Sequence, residues 1–396
     1  EIYMGDWSSD VCSSDLVSGL AQSAVVVGAA LFAVPATAIV RRHGRRPSLA
    51  ASYLVAAAGA LLVVAAAMRD AIPLLFFGFF LFGGATAANL QARYAAVDLA
   101  PTALRGRHLS IIVWATTLGA VAGPNFAAFA GAALDGYGVP TLAGPFFFSA
   151  LLFGSAAIGL LALMRPDPAL VAGATSAAPR EGSGMGAALR AVASRGPATL
   201  GVTAMAIGHV VMVGVMAMTP VHIREAGHGA AHTLRIVGIV LSFHIAGMYA
   251  LSPVMGWMTD RLGRRVVIFI GIALLLTACA VAGSAAQNTA HLAAGLMLLG
   301  LGWSATTVAG STLLSDSIPL HLRASAQGLS DLIMGLAGAT AGALSGAVVA
   351  GWGYATLTLY AALATAPAIV LLALPYIDSV LISLRGTTSA AKSEGE

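Results

Sequence analysis

The chain has 396 residues, of which 58% are hydrophobic and only 9% charged, and its mean hydropathy is +0.88. A soluble domain carries about a quarter charged residues, so a soluble enzyme is excluded, and the low polarity excludes disorder. The pI is 9.3, yet the basic residues are sparse and fall in short clusters, which excludes a nucleic-acid-binding surface.

Taken in chain order, the first sixteen residues stand apart. Back-translated in one frame, Asp6 to Leu16 match the constant part of a short-read sequencing adapter, so 1–16 is set aside as an artefact. Without it the chain carries 20 Lys+Arg against 12 Asp+Glu, a charge of +8 in place of +4. Cys12 goes with it. Cys279 is left as a single thiol in an apolar run, which supports neither a disulfide framework nor a cysteine metal site.

From residue 17 onward, apolar runs of about twenty residues alternate with short polar gaps, the pattern of spanning helices rather than barrel strands. Eleven spans are predicted, at 17–40, 49–68, 72–95, 108–133, 142–164, 198–220, 236–258, 266–285, 292–314, 325–350 and 354–376. The polar segment 165–197 reads as a cytoplasmic linker between a bundle at 17–164 and a bundle at 198–376, and 377–396 as a cytoplasmic tail. Sixteen basic residues fall on one side of this topology and three, Arg69, Arg224 and Arg235, on the other, with Arg93 near a helix end. That asymmetry makes the first side, and with it the C-terminus, cytoplasmic.

The halves repeat. Asp98-Leu-Ala-Pro101-Thr-Ala-Leu104-Arg105 matches Asp316-Ser-Ile-Pro319-Leu-His-Leu322-Arg323, 218 residues later. Arg42-His-Gly44-Arg45-Arg46 matches Arg261-Leu-Gly263-Arg264-Arg265, 219 residues later. Parallel repeats of this kind imply two homologous bundles. The second half has six spans and the first has five, so the alignment makes 17–40 the second span of its half and twelve the expected total.

Gly256-Trp-Met-Thr-Asp260-Arg261-Leu-Gly263-Arg264-Arg265 resembles the loop signature between the eighth and ninth helices of the major facilitator superfamily (MFS). The resemblance covers residues 17–396. It implies an all-helical, two-bundle, multi-pass membrane protein that moves a solute by alternating access. Gly256 and Gly263 permit close helix approach and a tight turn. Asp260 and Arg261, Arg264 and Arg265 are expected to form a charge latch between bundles, with Asp98 and Asp316 as partners of the loop arginines and Gly44 and Arg45 in the first copy. That copy departs from the pattern, because Thr37 and Arg41 stand where Gly256 and Asp260 stand in the second.

Gly119-Ala-Val-Ala-Gly123-Pro124 resembles a motif of proton-driven exporters in this superfamily. Its spacing equally suits general small-residue packing between helices. In the span 198–220, Met205, His209, Met212 and Met216 fall on one helical face. Met212-x-x-x-Met216 followed by His244-x-x-x-Met248 resembles the paired motif of a copper-importing branch, and soft thioether and imidazole ligands suit Cu(I). The alternative is that methionine packs adaptably where helices slide. Asp331 is the deepest acid and a candidate proton carrier, or else an interfacial acid near a helix start. Asn89, Gln91 and Arg93 face either a cavity or the interface, and Trp114 and Trp303 line a cavity or anchor at the interface.

No catalytic constellation and no nucleotide-binding loop is present, so the chain is expected to be no enzyme and to use an ion gradient without a bound cofactor. Three functions follow: proton-coupled export of small organic molecules, Cu(I) import through Met212, Met216, His244 and Met248, or a non-transporting sensor. The expected partners are the bilayer of a bacterial-type inner membrane and a small-molecule or metal-ion substrate, the protein itself being a monomer.

Overall fold

A computed structural model describes residues 15–173, 184–225, 230–286 and 288–373. Most of the adapter-like stretch, part of the 165–197 linker and the tail from 374 lie outside the described residues. Among the described residues there is no strand. The first half contains α1 (Asp15–His43), α2 (Arg45–Ala67), α3 (Ile72–Asp98), α4 (Arg105–Leu134) and α5 (Gly144–Leu163). A single turn, α6 (Pro168–Val171), and a short helix, α7 (Met185–Ala193), follow. The second half contains α8 (Gly196–Glu225), α9 (Ala230–Ile245), α10 (Ser252–Leu262), α11 (Arg264–Gly283), α12 (Thr289–Ser317) and α13 (Leu320–Leu363). Among the described residues nine stretches are long and apolar enough to cross a membrane. Hydrocarbon offers the backbone no hydrogen-bond partner, so such stretches must satisfy their own N–H and C=O groups as helices.

Two predicted spans are less regular than their composition suggests. The span 236–258 is α9 and α10 joined by a π-helical turn, Ala246–Ala250. The spans at 325–350 and 354–376 run on from one another in α13, with a break at Gly353, where φ is 80°. The tight turns of the repeated loop lie at Gly44, between α1 and α2, and Gly263, between α10 and α11. Both have φ of 94°, a left-handed conformation that disfavours any residue with a Cβ.

Within each half the helices pack on one another: α2 on α3 and α5, and α12 on α8 and α11. The halves meet through α1 against α13 and α4 against α10. These two crossings are equivalent under the repeat. All the hydrogen bonds described between the halves lie toward the arginine-rich end, where Val40, Ala169 and Ala324 also form a small apolar cluster across the junction. Toward the other end α4 packs Phe126 and Phe129 against Phe148 of its own half. Leu118 and Phe129 are more than 60% exposed, and a Cβ at Gly119 or Gly123 would meet nothing described within 4 Å. The molecule is closed at its arginine-rich end, and α4 is uncovered by the other half toward the opposite end.

Candidate functional site

The closed end is built from charge. Arg45, one residue past the Gly44 turn, is among the most completely buried side chains in the protein. Its Nε donates to Asp98 at 2.8 Å and its Nη1 to Gln91 at 2.9 Å, both in its own half. Its Nη2 reaches Gln327 of the other half at 2.5 Å. At the equivalent place in the second half, Arg264 Nε donates to Asp316 at 3.1 Å. Asp316 is also paired with Arg105 across the junction at 2.5 Å, and Arg264 Nη2 reaches the Thr102 carbonyl at 2.5 Å.

Asp260 acts as a cap for a helix of the other half. Its carboxylate accepts from the backbone N–H of Gly106 at 2.9 Å and of Arg107 at 2.8 Å, at the start of α4. A helix start has unsatisfied N–H groups and a positive dipole end, so a carboxylate there is favoured. Arg264 stands 3.7 Å behind it. Arg261 turns outward over the Trp257 ring, 5.9 Å from its centroid, and Arg265 makes no ion pair among the described residues. We expect Asp260→Asn, which weakens this cap, to cost the closed end about 1 kcal/mol. Faster labelling of a cysteine placed at the junction would measure it.

The helices cross closely here because small residues face each other. A Cβ on Gly256 would meet Ser110 Oγ, and it would stand 2.5 Å from the Gly106 carbonyl. The other crossing reverses the sizes: a Cβ on Gly328 would meet Thr37 Oγ1. Under the repeat Gly328 corresponds to Ser110 and Thr37 to Gly256. The departure at Thr37 is thus matched by a glycine on its partner helix, and the crossing keeps its closeness.

Beneath this layer lies a pair that sequence reading left unconnected. Asp331 is not at a helix start: it lies roughly three turns into α13. Its Oδ1 accepts from Arg93 Nη2 at 2.6 Å, with the two side chains 2% and 3% exposed. Its Oδ2 accepts from Gln91 Nε2 at 2.8 Å. Arg93 also donates to Tyr94 Oη at 3.2 Å, while its Nε is buried with no described partner. A buried pair joining α3 to α13 therefore ties the halves together inside the membrane. Acid and base in separate spans were the only signal available for it.

Beyond this pair is an aromatic wall. Trp303 of α12 donates its indole N–H to His209 Nδ1 of α8 at 3.1 Å. Tyr249, in the π-helical turn, stands edge-on to Trp303 at 5.8 Å. Such π turns occur frequently at functional sites.

The methionine stripe divides, with Met205 apart from Met212, Met216 and Met248. Met205 packs in a cluster with Leu314 and Met334. Met212 and Met248 are buried in the main apolar core, with Met216 packed against it. His244 bonds through Nδ1 to the Leu296 carbonyl at 2.9 Å. Among the described residues no group of three His, Cys, Asp or Glu could hold a metal ion. The expectation of copper import finds no support, and these thioethers fill the core as adaptable apolar side chains do. Trp114 is exposed and the Pro124 side chain lies outside the described residues.

These features define a multi-pass helical membrane protein of two repeated bundles, closed at one end by a charge network. The family description "Major Facilitator Superfamily" matches residues 2–234 and 228–392. The chain belongs to the Major Facilitator Superfamily of transporters. It is 39% identical over 89% of its length to the uncharacterized MFS-type transporter YdeG of Bacillus subtilis, covering 82% of that protein. It is 27% identical over 84% of its length to the riboflavin transporter RfnT of Brucella anthropi, covering 79% of it. Among solved structures it resembles the transporter FucP in the outward conformation, with a TM-score of 0.67 at 15% identity over 90% of this chain and 89% of that one. It also resembles the human organic anion transporter MFSD10, with a TM-score of 0.67 at 16% identity over 93% and 89%.

Proposed function

We propose that this chain is a proton-coupled exporter of a small organic solute, working in a bacterial-type inner membrane with its arginine-rich end and C-terminus in the cytoplasm. The observation that carries the coupling is the buried Arg93–Asp331 pair between halves. Opening the closed end pulls these residues apart, and an uncompensated buried charge costs about 3–5 kcal/mol. A proton reaching Asp331 from the outer side neutralises it and removes its attraction for Arg93. The closed end then opens, and the proton leaves to the cytoplasm. On the return the solute is carried outward and the pair re-forms. Residues 17–164 and 198–376 move as the two bodies in this cycle, joined by the linker 165–197, and the latch of Asp260, Arg264 and Asp316 breaks and re-forms with them.

The wall of Trp303, Tyr249 and His209 suits a solute with a flat aromatic part, which stacks favourably on aromatic side chains. Riboflavin, named for the relative from Brucella anthropi, is the first probe of that shape. Outward direction rests on the likeness of Gly119-x-x-x-Gly123-Pro124 to the exporters' motif. Everted membrane vesicles of a host expressing this chain test the proposal. Acidifying their lumen should drive accumulation of riboflavin or another flat heterocycle, and collapsing the gradient should stop it. Accumulation indifferent to the gradient overturns the coupling, and no accumulation across a broad panel favours a sensor.

A further inference from the structure

We propose that a cleft between the end of α1, the start of α2 and the turn after α5 binds the phosphate headgroup of an anionic phospholipid. The cleft has a volume of about 380 Å³ and is lined by His43, Arg46, Pro47, Arg165, Asp167 and Leu170 among others. It contains an acid, but that acid is spent. Asp167 is buried, and its carboxylate accepts from the backbone N–H groups of Arg45 at 3.1 Å, Arg46 at 2.7 Å and Ala169 at 2.9 Å. It caps α2 and α6 at once, so its lone pairs point into backbone rather than at the cations. Neither Arg46 nor Arg165 forms an ion pair among the described residues. Arg165 Nε bonds to the Leu161 carbonyl at 3.4 Å, which leaves its two terminal nitrogens for an anion. Arginine presents a fork of N–H donors suited to phosphate oxygens.

The surroundings select a lipid over a free anion. Leu163 is 84% exposed, and Leu170 and Val171, in the single turn α6, are each more than half exposed. They flank the cleft at the end of a spanning helix, where acyl chains would cover them. A free phosphate would satisfy the arginines and leave these side chains bare. An arginine in direct reach of an anionic headgroup strengthens its attraction by about five-fold, and of the described arginines only Arg46 and Arg165 line the cleft.

Native mass spectrometry of the intact transporter in detergent, with phosphatidylglycerol or phosphatidylcholine added, tests the proposal. The unaltered protein should hold phosphatidylglycerol under activation that strips phosphatidylcholine. Arg46→Gln with Arg165→Gln should weaken that retention about 25-fold, whereas Arg42→Gln with Arg190→Gln, outside the cleft, should leave it unchanged. Saturating inorganic phosphate should not displace the lipid. Equal retention in the cleft variant, equal loss in the outside variant, or displacement by phosphate each overturns the proposal. Should the cleft variant fail to fold, thermal melting of the unaltered protein decides. A melting temperature higher in phosphatidylglycerol than in phosphatidylcholine supports the site, and no difference overturns it.

Discussion

Replacing Asp331 by alanine is expected to abolish gradient-driven transport and to loosen the closed end by about 3–5 kcal/mol, the cost of leaving a buried charge without its partner. Arg93 loses its ion pair and keeps only Tyr94 as a described partner, while its Nε is already unpaired. Ala324 supplies a reporter, because it is buried in the small apolar cluster between the halves when the end is closed. In a Cys279→Ala background, Ala324→Cys should be labelled slowly, and adding Asp331→Ala should speed labelling at least ten-fold. Asp331→Asn imitates the protonated acid and should also label fast, at any pH. Arg93→Gln with Asp331→Asn should label slowly again, since two amides can hydrogen-bond without stranding a charge, yet should carry no proton. Slow labelling in both single variants would show that the pair does not hold the halves together.

The second large effect is steric. Gly256→Thr drives a side chain into Ser110 and the Gly106 backbone, and overpacking of this kind costs about 1–3 kcal/mol. Transport should fall to background, and the Ala324→Cys reporter should remain labelled rapidly because the end cannot close. Adding Ser110→Gly recreates the Thr37–Gly328 pairing of the equivalent crossing and removes the side-chain part of the clash, so it should restore part of both closure and transport. A single-site explanation, in which any change at Gly256 merely unfolds the protein, predicts no rescue. Transport assays on the single and double variants distinguish the two.

Both predictions rest on contacts between residues 146 to 291 positions apart, and this marks the boundary of what a single sequence discloses. The helical class followed from composition, since an apolar run in hydrocarbon must close its own hydrogen bonds. The repeat followed from the residues themselves, and the glycines of the two loops do take up equivalent left-handed turns. Arg45 with Asp98 and Arg264 with Asp316 could be paired on paper, because each acid and each loop recurs at nearly the same offset. Arg93 and Asp331 could not. They have no counterpart in the other half, where Ser311 and Val113 stand at the corresponding positions. Asp331 looked like an acid near a helix start because linear distance from the span's edge was the only measure at hand.

The methionines show a different limit. Their spacing put them on one face, but a shared face says nothing about which neighbours that face meets. In the fold Met205 enters one apolar cluster, while Met212, Met216 and Met248 share another. Asp167 was hidden by its setting in a polar linker, although an acid directly before Pro168 is a helix-start signal. What the sequence alone determined is local and periodic: membrane helices, their turns, the two-fold repeat and the arginine-rich end. What only the tertiary structure decided is which half each buried polar group answers to. In an apolar interior an ionised or amide side chain must find a partner, and that partner is chosen by helix packing, which no spacing along one chain records.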